Sequence, residues 1–581
     1  MSNDTLASSS EDSTILSAVR EAYGDCEWIA EAIVKYSRPL SVVPLQLAVR
    51  SVVRRASPEK QADLLRLFAQ SSSKGSGCLE LLAKVSEASE ASLAEYEAKF
   101  GWSFLTFLEG PRHQGITPEQ LQLFLKTRLS NPASVELQQS LLELHRIAEY
   151  RIRQRLGTSP QTGYRIWDKC ASLARHSESA SNLTVTFLSP AHISVSAELK
   201  KMFLDAGFDE VCIDAVGNVV GRYYGESGSK APLLLTGSHY DTVRDGGAFD
   251  GRVGIVLPIE FVKKLSSEHR RLSFGIELVA FSEEEGVRFP ATFLGSSALT
   301  GLFNSQWLTL KDADGTTLLS NLQQENLAGS IDDINALKRD PARYLGFIEV
   351  HIEQGPVLFN KGLPLGVVTA INGSRRYRLT LSGQASHAGT TPMSDRRDAL
   401  CAAAEIVSFV ESAARDGRNT VATVGIFQVP EGSINTVPGR CHLSLDIRAP
   451  VDKDRDDLSM RIFDHIASVC SRRGIATEIN EVLHIAAAPC DDRLKNILMA
   501  SLVDLGIEVH ELPSGAGHDA MMIHRILPQS MLFVRGENNG ISHNPMESTN
   551  SDDLQLAFET FERFCIHLSG QVTAQTVAPS S

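Results

Sequence analysis

Hydrophobic positions along this chain follow three different periods, and the changes of period divide it. From Ile15 to about Leu156 the apolar residues recur at helical spacing. In Val135–Arg151, for example, Leu137, Leu141, Leu144 and Ala148 fall on one stripe while charged residues fill the other face. This predicts an all-α domain over residues 15–158, preceded by a polar, disordered stretch at 1–14 and closed by the linker Gly157-Thr-Ser-Pro160. From about residue 166, short apolar runs alternate with helical patterns. Leu233–Thr236, Leu278–Phe281, Tyr344–Val350 and Met531–Val534 read as buried strands, and Ser189–Phe203 and Val253–Leu265 as helices, which is the pattern of an α/β domain. Between Asn372 and His484 the period changes again. Tyr377–Ser382 and His442–Arg448 alternate strictly, as half-exposed strands do, with helical runs between them. The expected architecture is therefore multidomain: the all-α unit, then an α/β domain at 166–371 and 485–570 carrying an inserted α+β lid at 372–484.

Composition narrows the function classes. A chain of 581 residues is too long for one core, and 43% hydrophobic with 22% charged residues supplies several. The net charge of -14 argues against nucleic acid or an anionic membrane as partner, and leaves a small anionic ligand held by local arginines. No apolar run is long enough to span a bilayer, and the first residues lack the basic start and apolar core of a signal peptide. Nine cysteines without a CxxC spacing read as reduced thiols, so the expected location is cytoplasmic.

Candidate chemistry collects after the predicted strands. Gly237-Ser-His-Tyr-Asp-Thr-Val-Arg-Asp-Gly-Gly-Ala-Phe-Asp-Gly251 follows Leu233–Thr236 and is broken by its glycines, which puts His239 and Asp250 at a strand's C-terminal end, where open α/β sheets build sites. Phe281-Ser-Glu-Glu-Glu-Gly-Val-Arg288, Ile348-Glu-Val-His-Ile-Glu-Gln-Gly-Pro356 and Gly540-Ile-Ser-His-Asn-Pro-Met-Glu547 end or follow three further runs. A lone histidine near a strand is more often a satisfied core residue than a ligand, and an acidic triplet usually faces water. Two carboxylates and three imidazoles together, all at strand ends of one domain, form the mixed nitrogen and oxygen set that zinc or manganese prefers. Gln354, close to His351, is a further pocket candidate.

The helical segment resembles the decarboxylase that acts on 2-oxo-4-hydroxy-4-carboxy-5-ureidoimidazoline (OHCU) in urate breakdown, through Tyr96-Glu-Ala-Lys-Phe-Gly-Trp-Ser-Phe104, Arg128-Leu-Ser-Asn131 and Ile147-Ala-Glu-Tyr-Arg151. Phe68 stands where that family has its catalytic histidine, and the Ser-x-x-Glu-Gln motif is blurred around Ser86 to Glu90. Without an imidazole, no group titrates near neutrality to handle the proton. The resemblance thus implies a non-catalytic domain that keeps Arg151 as part of an anion pocket; a bifunctional protein that still decarboxylates is the alternative.

Residues 166–570 resemble the di-metal M20 amidohydrolases, in the branch holding allantoate amidohydrolase, N-carbamoyl-L-amino-acid hydrolase and β-ureidopropionase. The resemblance implies two divalent ions per subunit, zinc or manganese, with Asp250 bridging them, His239 and His543 on one ion and Glu285 and His351 on the other. It implies Glu284 as general base, His387 in Ser386-His-Ala-Gly-Thr-Thr-Pro-Met393 as the group that polarises the scissile carbonyl, Asn435 and Arg448 as carboxylate ligands, and His518 of Gly515-Ala-Gly-His-Asp-Ala520 at the substrate. The alternation of Leu443, Leu445 and Ile447 independently turns Arg448 away from the apolar layer, although solvated surface is an equally common fate for such a residue. A homodimer built through the lid is also implied, with His387 and Asn435 reaching the opposite subunit's site. The reaction expected is hydrolysis of a ureido C–N bond, Glu284 taking the proton of the attacking water and returning it to the departing amine. Allantoate is favoured, giving ureidoglycine, carbon dioxide and ammonia, because Arg244-Asp-Gly-Gly is a variant associated with allantoate enzymes and because the attached domain resembles an enzyme upstream in urate breakdown. An N-carbamoyl-L-amino-acid hydrolase or β-ureidopropionase is the rival in the same class. A metal-binding but inactive regulatory protein is the rival from another.

Overall fold

The computed structural model describes residues 17–577 except 30–48, 72–86, 107–117, 157–161 and 180–181 and positions 25, 27, 50, 51, 54 and 418. The polar start at 1–14 and the linker Gly157–Pro160 lie outside the described residues. Four long helices build the first unit: α1 (Pro58–Ser71), α2 (Glu87–Phe100), α3 (Pro118–Ser130) and α4 (Ala133–Leu156). Its described residues include no strand. The stripe anticipated on α4 is buried, Leu137, Leu141, Leu144 and Ala148 packing with Leu65, Phe68 and Phe104 into one apolar cluster. Tyr96 and Arg128 lock α2 and α3 onto α4. The Arg128 guanidinium, fully buried, donates to Glu136 Oε1 from Nε at 2.8 Å and to Ser140 Oγ at 3.0 Å, and the Tyr96 hydroxyl donates to the same Glu136. A buried ion pair of this kind is stable only because each partner is hydrogen-bonded.

After α5 (Thr162–Leu173) and α6 (Pro190–Ala206) the chain enters a nine-stranded mixed sheet. Its strands are β1 (Glu210–Ile213), β2 (Val219–Tyr223), β3 (Leu233–His239), β4 (Gly275–Phe281), β5 (Tyr344–Ile352) and β6 (Leu365–Ile371), joined later by β12 (Ala488–Pro489), β13 (Glu511–Ser514) and β14 (Gln529–Val534). The order is β1-β2-β4-β3-β5-β14-β6-β12, with β13 also paired to β6. Every residue of β3 and β4 is buried, as expected of continuous apolar runs in the middle of a sheet whose two faces are covered. Helix α7 (Val253–Ser267) starts directly after Asp250-Gly-Arg and packs back on β3, and the C-terminal helix α12 (Ser551–Val577) packs on α5 and on α11 (Asp492–Asp504).

Residues 373–485 form a separate antiparallel sheet. Strands β7 (Gly373–Ser382), β8 (Val421–Thr423), β9 (Phe427–Gln428), β10 (Arg440–Ala449) and β11 (Ala476–Ile485) are ordered β9-β10-β7-β11, with β8 beside β10. Two helices, α9 (Ala399–Arg415) and α10 (Asp452–Arg473), cover one face. That face buries Tyr377, Leu379, Leu381, Leu443, Leu445 and Ile447. The other presents Arg376, Arg378, Ser444, Asp446 and Arg448, so the period-two pattern read in the sequence is the one the fold uses.

Candidate metal centre

Strands β4, β3, β5 and β14 are parallel neighbours, so their C-terminal ends lie on one edge. His239 is the last residue of β3 and pairs with Phe281, the last of β4, after which Glu284 and Glu285 leave on a loop. His351 pairs with Phe533 near the end of β14, and the loop after that strand returns His543 over the edge. Hydrophobic strands thus fix five donors within a small space. His239 Nε2 lies 3.6 Å and His351 Nε2 3.2 Å from Asp250 Oδ1, while His543 Nε2 lies 3.3 Å from Asp250 Oδ2 and 3.6 Å from Glu285 Oε1. Among the described residues four groups are compact enough to hold a metal ion: His239–Asp250–His351 and Asp250–Glu285–His543, which share Asp250, together with His239–Glu284–Glu285 and Glu349–His351–His518. In these groups His239 lies with His351 and with Glu285, and Glu285 also lies with His543. Strands β3 and β5 are neighbours in the sheet, which sets their two imidazoles side by side with ring centres 5.7 Å apart.

Hydrogen bonds fix which nitrogen of each ring faces Asp250. His351 Nδ1 is 2.8 Å from the Ile352 carbonyl and His239 Nδ1 is 3.1 Å from the Asp241 carbonyl. A carbonyl only accepts, so each Nδ1 carries the proton and each neutral Nε2 turns a lone pair toward the carboxylate. His351 Nε2 accepts from the Gly251 N–H at 3.2 Å, and a ring with Nδ1 on a carbonyl and Nε2 directed at a carboxylate has the orientation that metal-binding histidines adopt. Protons can take the same place: burial opposes ionisation of Asp250, yet His239, His351 and His543, donating to it when protonated, hold its carboxyl well below the usual range. Burial and then Glu285 push Glu284 well above that range, and burial with Asp250 pushes Glu285 up to about 7. The carboxylates of Glu283 and Asp519 are also buried, and burial pushes both well above the usual range.

A family profile described as "Peptidase family M20/M25/M40" matches residues 235–567, more than half of the chain. The chain belongs to that family. As an M20 family member it is a hydrolase, and several named relatives share most of their length with it. Allantoate deiminase 1 of Glycine max is 37% identical over 414 residues, covering 66% of this chain and 85% of that one. An N-carbamoyl-L-amino acid amidohydrolase of Geobacillus stearothermophilus is 34% identical over 397 residues, covering 68% and 96%. Among solved structures, an amidase of the hydantoinase/carbamoylase family from Burkholderia multivorans superposes with a TM-score of 0.64 at 29% identity, covering 70% of this chain and 97% of that one. A second profile, OHCU decarboxylase, matches residues 8–153.

Around the M20 centre, the expected substrate residues separate into two places. Gln354, in a left-handed conformation at φ 58, donates from Nε2 to both Asp250 oxygens at 3.1 and 3.0 Å, so it belongs to the centre itself. His518 is 1% exposed and lies edge-on behind His351 at 4.5 Å, bonded to Ser514 Oγ at 2.9 Å. With Glu349 and His351 it forms another close group of donors, all three buried. His387 and Asn435 are exposed and sit together, on the short paired strands Ser386–His387 and Thr436–Val437 or next to them, with bonds only to nearby groups: His387 Nδ1 accepts from Gly389 N and Asn435 Oδ1 from Ser433 Oγ. Among the described residues, neither bonds to the carboxylate and imidazole cluster. Arg448 is engaged already, its guanidinium donating to Asp446 at 2.9 and 3.1 Å and to the Gly515 carbonyl at 2.9 Å. It lines a cavity of about 540 Å³ between the second sheet and the Gly515 loop.

Sequence reasoning missed three residues. Asp241 accepts from the backbone N–H groups of Glu284 at 3.1 Å and Glu285 at 3.1 Å, aiming the acidic loop; its signal was the position two residues beyond His239. Glu349 shares the face of β5 with His351 and accepts from Ser238 Oγ at 2.7 Å, which period two would have shown. Glu547 accepts from the N–H groups of Phe249 and Asp250 at 3.0 Å each, a contact across 297 residues with no local signature. In the helical unit, Phe68 is fully buried, and the Arg151 guanidinium stands 5.0 Å from its ring centre.

Proposed function

We propose that the chain hydrolyses the ureido C–N bond of allantoate, releasing ureidoglycine, carbon dioxide and ammonia. The observation that carries this is the pair of donor groups sharing Asp250, with Glu284 beside Glu285, in a chain whose relatives include proteins named allantoate deiminase. Two divalent ions held by His239, Asp250, His351, Glu285 and His543, zinc or manganese by donor type, would supply Lewis acidity to water and to the carbonyl oxygen. Glu284 takes the proton of the attacking water and delivers it to the departing amine. Asp241 fixes the direction of Glu284 through its backbone N–H. The small anionic substrate is held by Arg448 and Asn435 through its carboxylate, and His387 donates to the carbonyl oxygen as negative charge develops.

On this reading, residues 15–158, 166–371 with 485–570, and 372–484 are the helical, catalytic and lid domains, and the lid pairs two subunits. Ile426, Phe427, Ile434 and Val482, all exposed on the lid, and the edge strand β11 support a homodimer in which His387 and Asn435 complete the partner's site. A second reading, hydrolysis of N-carbamoyl-L-amino acids, is favoured by the match to nearly the whole Geobacillus stearothermophilus protein. The test is a panel of ureido acids with metal-reconstituted protein, in which allantoate is expected to give the highest kcat/KM. A higher value for an N-carbamoyl-L-amino acid selects the second reading. Glu284→Gln should keep both metals and lose on the order of 10²- to 10⁴-fold in kcat; full activity with intact metal content would remove Glu284 from its role.

A further inference from the structure

Helix α4 of the N-terminal unit rests on two loops of the metal centre. It packs against the helix α8 (Val357–Lys361), which follows Gln354, and against the turn Asn538–Gly540, which precedes His543. These two segments also pack on each other, so closely that a Cβ on Gly540 would lie 1.8 Å from the Gly355 carbonyl. Glu353 ties the first loop by accepting from the N–H groups of Val357 at 2.7 Å and Leu358 at 2.8 Å. Asn538 ties the second: its side chain donates to the Met546 carbonyl at 2.6 Å and closes residues 538–546 into a loop.

A side chain of the helical unit enters this arrangement. Gln139, on α4 and 1% exposed, accepts through Oε1 the backbone N–H of Asn538 at 3.1 Å. Asn538, Asn539, Gly540 and His543 all have positive φ, at 52, 62, 68 and 54, conformations that non-glycine residues hold only when their surroundings enforce them. The N–H of Asn538 is the first group of that strained run, and Gln139 provides its acceptor. Further along, Ser542 donates to Glu547 Oε2 at 2.8 Å and lies 3.3 Å from Asp250 Oδ2.

We propose that Gln139 is a positioning residue for hydrolysis: by capping Asn538 it holds the loop that aims His543 at its metal ion, so the helical unit is a working part of the hydrolase and more than an attached domain. This rests on the reading of His543 as a metal ligand, and the test separates the two. Full-length Gln139→Met keeps side-chain volume and removes the acceptor; Gln139→Glu, made together with Glu143→Gln because Gln139 Nε2 donates to the buried Glu143 at 3.3 Å, keeps an acceptor without pairing two buried carboxylates; His543→Ala removes the ligand. Each is checked for fold by circular dichroism and loaded with cobalt(II), whose visible absorption reports the ligand field. Gln139→Met is expected to weaken binding of one cobalt ion roughly tenfold, the lower end of what support residues contribute, to alter the absorption band, and to lower kcat with little change in KM, while Gln139→Glu restores most of both. A folded Gln139→Met indistinguishable from wild type in cobalt affinity and kcat, or equal losses in the Met and Glu variants, overturns the proposal. If His543→Ala still binds two equivalents with unchanged affinity, the ligand reading fails and the proposal with it.

Discussion

Burial pushes the His192 imidazole down to about 4. The ring lies between Tyr240 and the acidic loop, donating from Nε2 to the Ser282 carbonyl at 2.6 Å, while Nδ1 is buried without a partner among the described residues. Between the ordinary histidine value of 6.5 and about 4, the unfolded chain binds a proton at this residue that the folded chain does not. Stability must therefore fall as pH drops through that window and is complete above it, by about 3 kcal/mol at most for a shift of this size. His192→Gln, whose amide can still donate to Ser282, should flatten this dependence. Urea midpoints measured between pH 7 and pH 4 check it, and parallel curves for the two proteins would show that His192 is not the group that titrates.

At the scale of elements, the edge that carries the centre depends on how closely β3 approaches β4. Gly237 sits two residues before His239 at φ 150, and a Cβ there would lie 1.9 Å from the Val279 carbonyl. Neither strand can give way, because both are buried along their full length and β3 also pairs with β5. Gly237→Ala should therefore cost about 3 kcal/mol or more through overpacking and backbone strain. It should release metal from whatever protein remains folded, since His239 shifts with the strand. An unchanged thermal midpoint would mean that β3 can slide without loss.

At the scale of the molecule, His387 and Asn435 are exposed and remote in bonding from the centre of their own chain. If the lids pair, an inactive Glu284→Gln protein mixed with an inactive His387→Ala protein should recover activity through hybrid dimers holding one complete site. With equal mixing this is roughly a quarter of the wild-type rate, as half the dimers are hybrids in a twofold assembly. No recovery despite demonstrated subunit exchange would place a whole site in each chain. The helical unit carries a separate expectation. Phe68 is fully buried, and its ring stands 5.0 Å from the Arg151 guanidinium. The full-length protein should leave OHCU decay at its spontaneous rate, measured by the loss of substrate chirality, and an acceleration above background would overturn this.

The order of elements and the clusters that gather at the strand ends were legible in the sequence, because both follow from local rules. Runs such as Leu233–Thr236 can only be buried strands, the alternation of Leu443, Leu445 and Ile447 fixes a face, and glycines end strands where side chains can converge. Which donors stand together was decided by the sheet. The order β4-β3-β5-β14 sets His239 beside His351 and brings Glu285 toward His543, and that order depends on contacts such as Thr236 with Ile348, 112 residues away. Asp241 and Glu547 escaped notice for the same reason. Their work is to accept backbone N–H groups of distant loops, and an acidic side chain in a sequence looks the same whether it faces water or supports a metal ligand. The contact of Gln139 with Asn538 lies furthest from any local signal, since it joins two units that each satisfy their own hydrophobic pattern and meet only when both are folded.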